Sequence, residues 1–117
     1  VTTRPVEIRL KRAERRLELA FEDGQRLALD AELLRAYSPS AEVKGHTPGL
    51  RPLAADCSRV GILAVEPIGL YALRIVFDDG HDTGIYSFDY LLELWQKQDA
   101  LRARYQEALR GSSREGR

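Results

Sequence analysis

The sequence predicts an α+β domain: an antiparallel sheet or meander, a C-terminal helical segment packed on one face, and a short helix near residues 31–37. Three observations lead there. Val6-Glu-Ile-Arg-Leu10 and Leu17-Glu-Leu-Ala-Phe21 alternate apolar and polar residues, which is the period of a half-buried strand. Two β-rich runs, Val60–Ile68 and Tyr71–Phe77, meet around Gly69 and read as a central hairpin. From Ser87 the period changes. Phe88, Leu91, Leu92 and Trp95 recur at i, i+3, i+4 and i+7, the spacing of one buried helix face.

Each element has a local reason. Lys11–Arg16 is a charged turn between the first two strands. Its Lys11, Arg12, Arg15 and Arg16 have no interleaved aromatic to stack on bases, so the cluster reads as a solvated hairpin end. Asp23-Gly24 marks a tight turn, and Gln25–Asp30 returns as a third strand. Asp30 is placed to cap a helix over Ala31–Tyr37, with Leu33, Leu34 and Tyr37 at helical spacing. Pro39 stops it, because the residue before proline is pushed out of the helical region. Ser38–Ser58 lacks a period and carries Pro39, Gly45, Pro48, Gly49 and Pro52, so it reads as a long ordered loop. Pro67 cannot donate to a ladder and belongs at a strand end or on an edge. Asp79-Gly80 makes the next turn and Thr83–Tyr86 pairs back. Ser87 is a good N-cap, and Asp89 suits the positive end of the helix dipole. Asp99 restarts a second helical segment, in which Leu101, Tyr105 and Leu109 keep helical spacing. Residues 1–110 are therefore expected to form a single domain, with 111–117 a mobile polar tail.

Composition narrows the function classes. The 117 residues suit one domain, and with 44% hydrophobic and 31% charged residues the chain can bury a core and still dissolve. Lys+Arg and Asp+Glu are both 18. That balance argues against a nucleic-acid partner, which needs an excess of cations to neutralise phosphates. Cys57 is the single cysteine, which excludes an internal disulfide and a Cys-rich zinc site and fits a reducing compartment. The first ten residues hold no long apolar run, and no segment approaches the roughly 20 apolar residues of a membrane span. A cytoplasmic protein with no membrane partner is the expectation.

The chemistry concentrates in one turn. Asp78, Asp79, His81 and Asp82 crowd the stretch before the capped helix. Such a cluster suits a metal, a partner's polar groups, or simply a polar turn. His46 lies in the long loop with Glu42 nearby. Imidazole and carboxylate donors suit iron, zinc or manganese, so His81, His46 and Asp79 are the candidate metal ligands, with iron or zinc the candidate ions. A Ser-His-Asp triad assembles on paper from Ser38 or Ser40, His81, and Asp78 or Asp82, yet no nucleophile elbow accompanies it. Gly80 and Gly84 alone make no phosphate-cradling loop. General acid–base work by Asp79 and His81 requires an enclosed site to shift their pKa.

Three runs carry a resemblance: Leu34-Arg-Ala-Tyr-Ser-Pro-Ser-Ala-Glu42, Gly45-His46, and the stretch from Ile68 to Leu91 containing Phe-Asp-Asp-Gly-His-Asp-Thr-Gly-Ile-Tyr-Ser. Over roughly residues 5 to 97 the chain resembles the gamma-butyrobetaine-hydroxylase-like N-terminal domain. In the eukaryotic hydroxylases of that family the domain precedes an oxygenase domain and holds a structural zinc with three cysteines and a histidine. The resemblance places the cysteine positions at about Ser38, Ser40 and Val43, and the histidine at His81. The thiols are absent, so a thiolate zinc site is not expected, and neither is hydroxylase activity. Similar domains stand alone in bacteria or are fused to P-loop scaffold proteins of iron–sulfur cluster assembly. The resemblance thus implies a non-catalytic accessory module that binds another protein and is linked to iron–sulfur or metal handling. Its expected interaction surface is Ser38, Ser40, Glu42, His46, Asp79, His81, Asp82 and Tyr86. The alternative is a metal-ion-binding protein using His81 and His46 with nearby carboxylates.

Overall fold

The computed structural model describes residues 4–39 and 52–115, with side chains to residue 111. Its order is β1 (Pro5–Lys11), β2 (Arg16–Phe21), β3 (Arg26–Asp30), α1 (Ala31–Ala36), β4 (Ile62–Ile68), β5 (Ala72–Phe77), β6 (Gly84–Ser87), α2 (Phe88–Gln96) and α3 (Gln98–Glu115). The α+β class expected from the periodicity is the one observed. The strands divide into two three-stranded antiparallel meanders, β1-β2-β3 and β4-β5-β6.

In the first sheet β2 alternates strictly, with Leu17, Leu19 and Phe21 buried between half-buried neighbours. Its register sets Leu17 against Leu29 and Leu19 against Leu27, so four leucines share one face. Asp23 Oδ1 accepts from Gln25 N at 3.0 Å, and Gly24 turns at φ 87°, a conformation glycine adopts without steric cost. In the second sheet β5 alternates likewise, sending Leu73, Ile75 and Phe77 inward. Pro67 sits in β4, an edge strand, where its missing N–H costs no ladder bond on the open side.

The helices close the core. Asp30 Oδ1 accepts from Leu33 N at 2.8 Å and caps α1. Its other oxygen meets Arg102 Nη2 of α3 at 2.8 Å. Ser87 Oγ accepts from Tyr90 N at 3.0 Å and caps α2, as its position suggested. The buried face of α2 differs from the expected stripe. Phe88, Leu91 and Leu94 are buried, whereas Leu92 and Trp95 are half-buried. The helix is rolled towards Leu94 because it packs between β3, β6 and α3 rather than flat on one sheet. Trp95 is left at the rim. Both sheets and all three helices feed one cluster, from Leu17 and Leu29 through Ile75 and Phe77 to Leu101 and Tyr105. No helix among the described residues is long and apolar enough to cross a membrane.

Candidate functional site

The site is built where α1 ends against the β5–β6 turn. The last carbonyls of a helix have no partner within it. Here four are met from elsewhere. Ser38 N donates to Arg35 O at 3.3 Å and Leu53 N to Ala36 O at 2.7 Å. The hydroxyl of Tyr86 donates to Leu34 O, and that of Tyr90 to Tyr37 O. Tyr37 OH in turn donates to Leu101 O at 2.8 Å, and Cys57 N donates to Tyr105 OH at 2.7 Å. Tyrosines on β6, α2 and α3 therefore fix the backbone at the end of α1 and at Cys57.

On this frame the polar turn is placed. Asp79 Oδ1 accepts from His81 N at 3.1 Å, which folds the turn, and Phe77 N donates to His81 O at 2.9 Å to close it. Asp79 Oδ2 accepts from Arg35 Nε at 2.8 Å. His81 Nε2 lies 2.8 Å from Ser38 Oγ. Gly84 lies beneath this pair. A Cβ there would fall 2.4 Å from Ser38 Oγ and 3.0 Å from Tyr86 Cε1, so only glycine allows β6 to approach.

Burial pushes the Asp79 carboxyl up, but the bond from Arg35, the amide of His81 and both positive charges outweigh it, and the group sits below its ordinary value. Burial holds the His81 imidazole below its ordinary value, reinforced by Arg35 and opposed by Asp79 and Asp82. The imidazole is thus biased to the neutral form.

The sequence-predicted residues fare differently. Ser38, Asp79 and His81 come together. Asp82 is turned to Arg74, whose Nη1 lies 2.6 Å from the Asp82 carbonyl and 3.9 Å from its carboxylate. Asp78 accepts from Gly61 N at 2.9 Å and serves the β4–β5 pairing. Tyr86 is a correction: it is 0% exposed and underlies the surface instead of forming it, because β6 alternation points it at α1. Ser40, Glu42 and His46 lie outside the described residues. Sequence reasoning missed Arg35 and Gly84. Arg35 had a signal, a cation in the last turn of a helix; Gly84 had none, because the approach spans 46 residues of chain to Ser38.

Two chemistries can be weighed on this geometry. Ser38 and His81 do meet, but among the described residues no carboxylate orients the ring, since Asp79 bonds the His81 backbone and Arg35. The clefts lined by Trp95 with Ala20 and Ala28, by Glu32 with Asp56, and by Lys97 with Arg104 do not reach this pair. A zinc of the kind the resemblance implies does not fit the described residues. Ser38 offers a hydroxyl already engaged by His81, Asp79 is held by a guanidinium, and that cation beside the imidazole opposes a second positive charge. Among the described residues no three of His, Cys, Asp or Glu are grouped to hold a metal ion.

Comparison with known proteins agrees with this fold. An NMR solution structure of a protein 44% identical covers 96% of this chain and 83% of its own, with a TM-score of 0.81. A second NMR structure, 40% identical, covers 97% and 89% with a TM-score of 0.78. A crystal structure of a protein of unknown function from Acidithiobacillus ferrooxidans, of the DUF971 family, is 33% identical, covers 78% and 91%, and has a TM-score of 0.65. No curated relative matches the chain. The family model described as gamma-butyrobetaine hydroxylase-like, N-terminal, matches residues 8–92, and the chain belongs to that family.

Proposed function

We propose that this domain is a non-catalytic accessory module that binds another protein through the surface of Arg35, Ser38, Asp79 and His81, with Asp82 at its margin. One observation carries the reading. The side chains of the turn are held at a half-exposed surface by α1 and the chain just after it, Asp79 by Arg35 and His81 by Ser38. Side chains fixed before binding lose little entropy on binding, and a rigid polar surface over a buried tyrosine frame suits recognition. The family's occurrence beside iron–sulfur scaffold proteins makes a metal-handling protein the first class of partner to try. A cytoplasmic setting agrees with the buried free thiol of Cys57.

The test is binding of a purified partner, identified by cross-linking to the native chain. Asp79→Arg combined with His81→Ala should weaken its affinity by about tenfold or more, as loss of central contacts does, with circular dichroism unchanged. Undiminished affinity in the double variant ends the proposal. Stoichiometric iron or zinc in tag-free protein, lost in His81→Ala, would replace it with the metal-ion-binding alternative.

A further inference from the structure

We infer that β1 is a dimerisation edge that pairs with β1 of a second copy of this chain, antiparallel and two-fold about Ile8. Among the described residues β1 is an edge strand, hydrogen-bonded on one side, to β2. Ile8 lies beside Leu19 on the core face, yet Leu19 is 2% exposed and Ile8 is 39% exposed; Val6 is 63% exposed. The apolar layer that covers β2 thus runs out under β1. An unpaired edge bearing exposed apolar residues is a template for another strand.

The charge pattern names the occupant. Val6-Glu-Ile-Arg-Leu10 reads as apolar, acid, apolar, base, apolar about its centre. In a two-fold pair Ile8 faces the second copy's Ile8 and Glu7 faces Arg9 twice, with Val6, the bulged residue, beyond the end of the ladder. Opposite charges directly across a ladder stabilise it, and like charges oppose it. Sliding the pair by two residues sets Arg9 on Arg9 or Glu7 on Glu7. Parallel pairing in register sets both like pairs together. A slip of one residue sets charged side chains against the apolar face. One register therefore satisfies both charge and face. Glu7 and Arg9 now bond each other at 2.5 Å on an exposed surface, and such a pair gives little stability to forgo.

Pro5 and the bulge between Pro5 and Glu7 bound the ladder at one end. At the other, Arg12 Nε is engaged by Leu63 O of β4 at 2.9 Å. The ladder is short, so the dimer is weak and closed rather than an open fibre. The contact is isologous, as a two-fold contact must be. It lies on a different strand from Asp79 and His81 and is tested separately from them.

Sedimentation equilibrium from about 10 µM to about 1 mM should show a concentration-dependent dimer in this affinity range. Glu7→Arg makes both positions cationic and Arg9→Glu makes both anionic. Each variant alone should lose dimer affinity by about tenfold or more, since two attractive pairs become repulsive. An equimolar mixture of the two should dimerise again, as heterodimer, because each cationic strand then meets an anionic one. Monomer throughout the concentration range overturns the inference. So does a dimer that the single variants leave intact, or variants that fold by circular dichroism but do not recover on mixing.

Discussion

The tyrosine frame and the aspartate–histidine turn are neighbours built by opposite means. The frame is dry. Tyr37, Tyr86 and Tyr105 are at most 2% exposed, and their hydroxyls bond backbone groups of α1, α3 and Cys57. The turn is wet. Arg35 and Asp79 expose 18% and 32% of their side chains, and their pair is one of several surface ion pairs. A buried carbonyl deprived of its donor keeps its full desolvation cost, whereas a solvated ion pair gains little when formed. The frame should therefore govern stability and the turn should govern recognition, and the difference is measurable.

The largest effect is expected at Tyr86. Tyr86→Phe removes the donor to Leu34 O and leaves the ring in place, and should cost about 2 kcal/mol in urea unfolding. Asp79→Asn, in the turn, should cost well under half as much. If the two are equal, the division between frame and turn is wrong.

Next comes the alkaline limb. Burial pushes the phenols of Tyr37, Tyr86, Tyr90 and Tyr105 above their ordinary value. A group raised on folding stabilises the fold fully below its unfolded pKa, about 10 for tyrosine, and that contribution is lost as pH rises towards the folded value. Phenolate absorbance and circular dichroism followed together should show most tyrosines ionising only as the fold is lost. Ionisation that runs to completion in folded protein would show the frame to be open to water.

The smallest effect is on the acid limb. His81 and Asp79 both sit below their ordinary values. Such groups contribute stability that is present above the unfolded pKa and lost as pH falls through the folded one. For His81 the loss begins below about 6.5, and for Asp79 below about 4. His81→Gln should flatten the fall in Tm between neutral pH and about pH 5. An unchanged slope would mean that the imidazole is not held neutral by its surroundings.

Much of the fold was legible because it is local. Alternation placed β1 and β2, a β-rich run placed β5, Asp23-Gly24 placed a turn, and Asp30 and Ser87 placed two helix starts, since each depends on residues within a few positions. The roll of α2 was not legible. Leu92 and Leu94 are equally apolar, and which one is buried depends on whether the helix packs on one sheet or between β3, β6 and α3. Half the candidate site was legible in the same sense. The types and crowding of Asp79 and His81 were plain, while Ser38 came from the resemblance and from a triad that residue types allowed on paper, and Arg35 and Gly84 were not singled out.

By itself the sequence determined the strand and helix periods, the caps and turns, the even balance of charge, and the want of thiolates for the family's zinc. Only the tertiary structure decided which members of the polar turn face one another. Asp78 went to Gly61, Asp82 to Arg74, Asp79 to Arg35 and His81 to Ser38. The reason is reach. A capping side chain meets a backbone group two or three residues away, so its neighbours specify it, whereas Ser38 meets His81 only after two sheets and three helices have packed around one core.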